Sequence, residues 1–189
     1  MKYFFYTICI LIFSCGNHEE KLHDKTQNRK SSSATPKVLD SVILSKEEYL
    51  NFGDFGNKIK KDTAYVFHYL IHNNEKNADA HRTYVTFSSN IPRIKIAGDS
   101  FNAKIFNVGD LNGDSIDEVL ILPGSLNGCW GYQSVLALVN NNWVELANES
   151  AYGCNEENRV TKINNKQFDI LIDTGAGGSG HYFKRITIK

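Results

Sequence analysis

The sequence predicts a mainly β domain, built of antiparallel sheets in an open or sandwich-like arrangement with one short helix. Three observations carry that expectation. Runs rich in β-branched and aromatic residues recur from Tyr65 to Ile188, turn residues bound each run, and several runs alternate polar with apolar side chains, as in Arg93-Ile94-Lys95-Ile96 and Lys184-Arg185-Ile186-Thr187-Ile188. A period of two is what a sheet with one wet face requires. Hydrophobic residues make up 41% of the 189 and charged residues 22%, which excludes a wholly disordered or collagen-like chain. Twenty-one basic and twenty-one acidic side chains cancel, so no global field draws in nucleic acid, and none is expected as a partner.

The chain opens with Lys2 and an apolar run from Tyr3 to Phe13 that stops at Ser14-Cys15. This is the anatomy of a signal peptide over residues 1–14. At ~1.5 Å per helical residue the run covers roughly half of a ~30 Å hydrocarbon core, too little for a permanent span. The context Ile12-Phe13-Ser14-Cys15-Gly16 resembles the bacterial lipobox, which implies that Cys15 is lipidated and becomes the mature N-terminus. An ordinary secretory cleavage site is the alternative. Residues 15–37 hold the lipidated cysteine and a polar stretch with Leu22 as its only large apolar side chain; it buries too little to offset its ordering entropy and should act as a tether. Glu19-Glu20 resembles the surface-export signals of lipoproteins from Bacteroidetes-type bacteria. The implied address is the outer membrane, anchored through the N-terminal lipid, on its periplasmic or exterior face.

Residues 38–189 are long enough for one core. Ser45–Phe52 begins with a capping residue and places Glu47 and Glu48 in what would be a first turn, which predicts the short helix. Strands are expected over residues 65–71, 82–87, 93–97, 103–108, 117–122, 133–139, 143–147, 159–163, 168–172 and 182–188. Two stretches match at an offset of fifty: Leu120-Ile121-Leu122 falls on Ile170-Leu171-Ile172, Gly128 on Gly178 and Tyr132 on Tyr182. A hairpin, a glycine-rich connection and a returning strand would make each unit a blade-like sheet, and two or three such units are too few to close a ring.

Cys9 lies in the leader and Cys15 would take the lipid, which leaves Cys129 and Cys154 as the only pair in the domain. In an oxidising compartment they should form a disulfide worth ~3 kcal/mol; a structural metal site is the competing reading, without CxxC spacing to favour it.

One motif is specific. Asp110-Leu111-Asn112-Gly113-Asp114-Ser115-Ile116-Asp117-Glu118 sets side-chain oxygens at positions one, three, five and nine of a tight loop between strands. Calcium takes six to eight oxygens at ~2.4 Å, and a loop curling round the ion can supply them. Asp110, Asn112, Asp114 and Glu118 would give side chains and Ile116 its carbonyl, with Asp117 turned away. A polar hairpin turn with no ion is the alternative. Continued through Val119-Leu120-Ile121-Leu122-Pro123-Gly124, the stretch resembles the FG-GAP or VCBS repeat, over roughly residues 103–140. That resemblance implies a calcium loop in a blade of propeller type, as in many bacterial surface proteins. Where that family usually has a glycine after the fifth-position aspartate, this chain has Ser115, at a cost of ~1 kcal/mol in loop strain.

Other candidates carry less chemistry. Ile170-Leu171-Ile172-Asp173-Thr174-Gly175-Ala176 resembles the signature of retropepsin-like aspartic proteases, in which paired aspartates activate a water, but only sixteen residues follow Asp173 and a flap needs more. His68, His72 and His81 allow a zinc site to be drawn, yet the run from Tyr65 reads better as a strand with histidines on its polar side. Trp130 and Tyr132, with Tyr152 and Tyr182, could offer a stacking platform to a glycan or protein ligand; core packing is the alternative for Trp130. The sequence thus predicts a lipid-anchored envelope protein with one structural calcium ion, acting as a binding module without catalysis. A hydrolase working through Asp173 is the other reading.

Overall fold

Residues 41–56, 60–73, 78–98, 102–122, 124, 128–154 and 158–189 are described by a computed structural model. They fall within one unit, Val38–Lys189. The leader, Cys15 and the tether lie outside the described residues.

Alternation builds the first sheet. β1 (Ser41–Gly53), β2 (Asp62–Asn73), β3 (Ala78–Phe87) and β4 (Ile94–Ile96) follow one another as an antiparallel meander in the order β1-β2-β3-β4. Ala64 and Val66 of β2 and Val85 of β3 are fully buried, and Ile94 and Ile96 of β4 nearly so. The residues between them on β2, Tyr65, Phe67 and Tyr69, point the other way.

The second sheet is another meander: β5 (Lys104–Gly109), β6 (Glu118–Leu122), β7 (Trp130–Val139) and β8 (Asn142–Tyr152), in the order β5-β6-β7-β8. β7 and β8 meet at Asn140-Asn141, whose φ angles of 50° and 59° suit a two-residue hairpin turn. The third sheet has β9 (Val160–Asn164), β10 (Gln167–Thr174) and β11 (Gly180–Thr187), with β10 in its centre. The segments that match at an offset of fifty fall on β6 with β7 and on β10 with β11.

The middle sheet is covered on both faces. Ile105, Val119, Ile121 and Leu138 pack with Val66, Val85, Ile94 and Phe55 of the first sheet region, while Leu120, Val135 and Ala147 pack with Phe168 and Ile170 of the third. Every residue of β6 is buried as a result. Each aliphatic side chain fully buried this way contributes about 1.5–3 kcal/mol relative to exposure. Among the described residues, three antiparallel sheets stacked face to face, with no closed barrel, are the mainly β, sandwich-like arrangement that the sequence predicts.

Two expectations are corrected. Ser45–Phe52 is not a helix but part of β1, where Ser45 to Tyr49 pair with His68 to Ala64. The only helical turn among the described residues is a 3-10 turn at Ala176–Gly178. His68 does not sit on a wet face: it is 1% exposed, its Nδ1 lies 2.9 Å from Thr83 Oγ1, and burial holds its imidazole below the usual range. A histidine is tolerated on the inner face because the threonine opposite gives its ring nitrogen a partner.

Cys129 and Cys154 are joined, with Cα atoms 5.4 Å apart. The bridge closes the open end of the β7–β8 hairpin, where Gly153 N also donates to Cys129 O at 2.6 Å.

Candidate functional site

The acidic loop is shaped by its own side chains. Asp110 Oδ1 accepts a hydrogen bond from Gly113 N, and its Oδ2 accepts from Ser115 N at 3.0 Å. Asn112 Oδ1 accepts from Asp114 N at 2.8 Å, and Asp114 Oδ1 accepts from Ile116 N at 2.8 Å. Side chains at positions one, three and five thus curl the backbone by satisfying its N–H groups. The curl requires left-handed residues: Gly113 at φ 86° and Ser115 at φ 70°. Ser115 accordingly occupies a conformation that glycine would adopt without strain.

Glu118 closes the loop from the start of β6. Its Oε2 accepts from Leu111 N at 2.5 Å and its Oε1 from Asn112 Nδ2 at 3.0 Å. The same amide donates to Asp114 Oδ2 at 3.0 Å, so oxygens of Asp114 and Glu118 stand on either side of it, at most about 6 Å apart. Two calcium ligands facing each other across the ion would be ~4.8 Å apart. Glu118 is fully buried, and its carboxyl is pushed up to about 7, first by that burial and then by the nearby charges of Asp114 and Asp110, against the hydrogen bond from Leu111.

Asp117 is turned away from the loop interior. Its Oδ2 accepts from Asp54 N at 2.9 Å and from Asn107 Nδ2 at 2.7 Å, and its own N–H donates to Asp54 O at 2.8 Å. The side chain of Ile116 packs into the core between the first and middle sheets. From the third sheet, Lys162 donates through Nζ to the Asp110 carbonyl, and Asn165 lies so close to Gly113 that a Cβ there would fall 2.5 Å from it. One nine-residue loop therefore touches all three sheets.

The donor set is of calcium type: hard oxygens from Asp110, Asn112, Asp114 and Glu118 in one loop. Among the described residues no three His, Cys, Asp or Glu side chains close on one point by themselves. Asp114 and Glu118 are linked through Asn112, and Asp110 through the loop amides. The fit is in kind and in approach rather than as a finished cage.

Trp130 and Tyr132 are not core residues; they are 43% and 72% exposed. Trp130 packs edge-on against Tyr152, with ring centroids 5.4 Å apart. Trp130 and Tyr132 border a groove of about 700 Å³ that runs between β4 and the β7–β8 ribbon. Its polar side is a small network in which Ser134 Oγ and Asn148 Nδ2 each donate to Glu145 Oε2 at 3.0 Å. Lys95 of β4 lines the same groove. Aromatic rings beside fixed polar groups are the ordinary composition of a ligand site.

Asp173 is 2% exposed and held by Arg159, whose Nη2 lies 2.5 Å from Asp173 Oδ2. The same oxygen accepts from Tyr152 N at 2.7 Å. Arg159 Nε donates to Gln133 Oε1 at 2.7 Å, and Gln133 Nε2 donates to Leu171 O. Through Oδ2 this carboxylate ties the third sheet to the middle one, while its buried Oδ1 has no hydrogen-bond partner among the described residues; a catalytic aspartate must instead face a water and a second carboxyl. The arginine has no sequence signal, since it pairs with residues on other strands. His72 is hydrogen-bonded to Asp79 at 2.6 Å and His68 to Thr83, so these histidines are engaged separately. No family model, no curated protein and no solved structure matches the chain.

Proposed function

We propose that the chain is a lipid-anchored protein of the bacterial cell envelope that works by binding, without catalysis. A calcium ion at the 110–118 loop stabilises its β-domain, and the groove beside Trp130 and Tyr132 takes a glycan or protein ligand. The observation that carries the calcium reading is the loop's position: its acidic positions approach one another where all three sheets meet. Asp110, Asn112, Asp114 and Glu118 would hold the ion, and its charge would offset the mutual repulsion of the carboxylates.

With a dissociation constant of ~0.1 mM and ~1 mM calcium, binding would add ~1.4 kcal/mol to folding. A thermal melt in calcium should then exceed one in chelator by about 3–6 °C, and Asp110→Ala should erase that gap. Superimposable wild-type melts would remove the ion from the account.

The binding role is tested on the groove. A glycan and peptide array probed with the full chain should yield a ligand whose affinity drops at least tenfold in Trp130→Ala and Tyr132→Ala, as expected when a stacking contact of about 1.5 kcal/mol is lost. Tyr132 is mostly exposed, so its removal should leave the melt unchanged. A ligand that both variants bind as the wild type does would place the site elsewhere.

A further inference from the structure

The first sheet has a second face, turned away from the middle sheet, and its composition is unlike that of the chain as a whole. Strand register sets its rows. Lys46 lies opposite Phe67, Phe67 opposite Tyr84 and Tyr84 opposite Lys95, one row across all four strands. On one side of it runs Glu48–Tyr65–Thr86, on the other Ile43–Tyr69–Arg82. Arg93 joins the face by lying over the Tyr84 ring, 4.6 Å from its centroid, as Lys46 lies 4.5 Å from that of Tyr65. Among these positions four are basic and one, Glu48, is acidic, in a chain whose charges cancel overall. Arg82 and Lys95 also border a depression of about 430 Å³ at the end of the rows.

We propose that this face binds an acidic polysaccharide, a chain of carboxylated sugars. The excess of cations calls for an anionic partner, and the spread of Lys46 and Lys95 across three strand spacings, about 14 Å, calls for an extended one. The aromatic geometry decides between sugar and nucleic acid. Base stacking needs open, parallel ring faces. Here Tyr69 and Tyr84 meet at 77°, one face each of Tyr65 and Tyr84 is covered by Lys46 and Arg93, and the rings along β2, Tyr65, Phe67 and Tyr69, are tilted 32–34° from one to the next rather than parallel. What the face offers is ammonium and guanidinium groups among phenols, which hydrogen-bond to carboxylates and hydroxyls. Phe67 and Tyr69 add apolar surface for the C–H side of a sugar ring.

The full chain should bind polygalacturonate at low salt, with affinity falling as salt rises, and should not bind neutral dextran. Lys46→Glu combined with Arg93→Glu, neither of which lines the groove, should weaken that binding at least tenfold while Lys166→Glu, on the β9–β10 turn, leaves it unchanged. Both side chains are exposed and each gives up one contact with a ring, so the melt should fall by only a few degrees. Trp130→Ala should bind polygalacturonate normally, which separates this face from the groove. Absence of polygalacturonate binding, undiminished binding by the double variant, or tighter binding to oligo(dT) or to anionic lipid vesicles would each overturn the assignment.

Discussion

Arg159→Ala is expected to lower the melting temperature by about 10–15 °C. Its guanidinium and the Asp173 carboxylate are each 1% exposed, and they form a pair 2.5 Å apart. Removing the arginine leaves a carboxylate in the interior with only the Tyr152 amide as a donor, and breaking a buried pair in this way costs about 3–5 kcal/mol. In a domain of this size each kcal/mol moves the midpoint by about 3 °C. The loss also reaches Gln133, which receives the Arg159 Nε–H and donates onward to the Leu171 carbonyl. Asp173→Asn likewise strands the Arg159 charge in the interior, and should be milder only to the extent that the amide oxygen still accepts from Tyr152 N and Arg159. Differential scanning calorimetry of the two variants checks the order. An Arg159→Ala melt within 2–3 °C of wild type would show that the pair adds nothing.

Raising the pH of the calcium-free protein from about 4.5 to about 7.5 should destabilise it by roughly 3 kcal/mol through Glu118 alone. The sign follows from the direction of the shift. Glu118 has its carboxyl raised from the ordinary glutamate value of 4.5 to about 7, so between those values the folded chain holds a proton that the unfolded chain has released. The contribution is fully present below about 4.5 and is lost as pH passes through about 7. Glu118→Gln cannot lose that proton, and its melting temperature in chelator should change less over this range by about 10 °C. Parallel pH profiles for wild type and variant would contradict the buried, acid-crowded setting of Glu118.

Most strands were legible because alternation and β-branching are local signals. Tyr65 to Ile71 and Phe168 to Ile172 needed no knowledge of their neighbours to be read as strands. β1 was misread for the opposite reason. Ser45, Glu47 and Glu48 have the order of a helix start, but pairing with His68, Val66 and Tyr65 overrides a preference worth only a fraction of a kcal/mol per residue. The acidic loop was visible in the spacing of Asp110, Asn112, Asp114 and Glu118. Its attachments to Asp54 and Lys162 were not, since each bond spans more than fifty positions. Arg159 and Gln133 were missed likewise: a buried polar network is defined by strands that meet only after folding.

The middle sheet shares its apolar side chains between two neighbours, so neither outer sheet can be peeled off without wetting half of the centre. Melting by parts is thereby disfavoured, and the three layers should come apart in one concerted step. A weakness introduced at the outermost hairpin would be felt as a lower barrier for the whole stack, much as pulling one end card loosens a deck held by its middle.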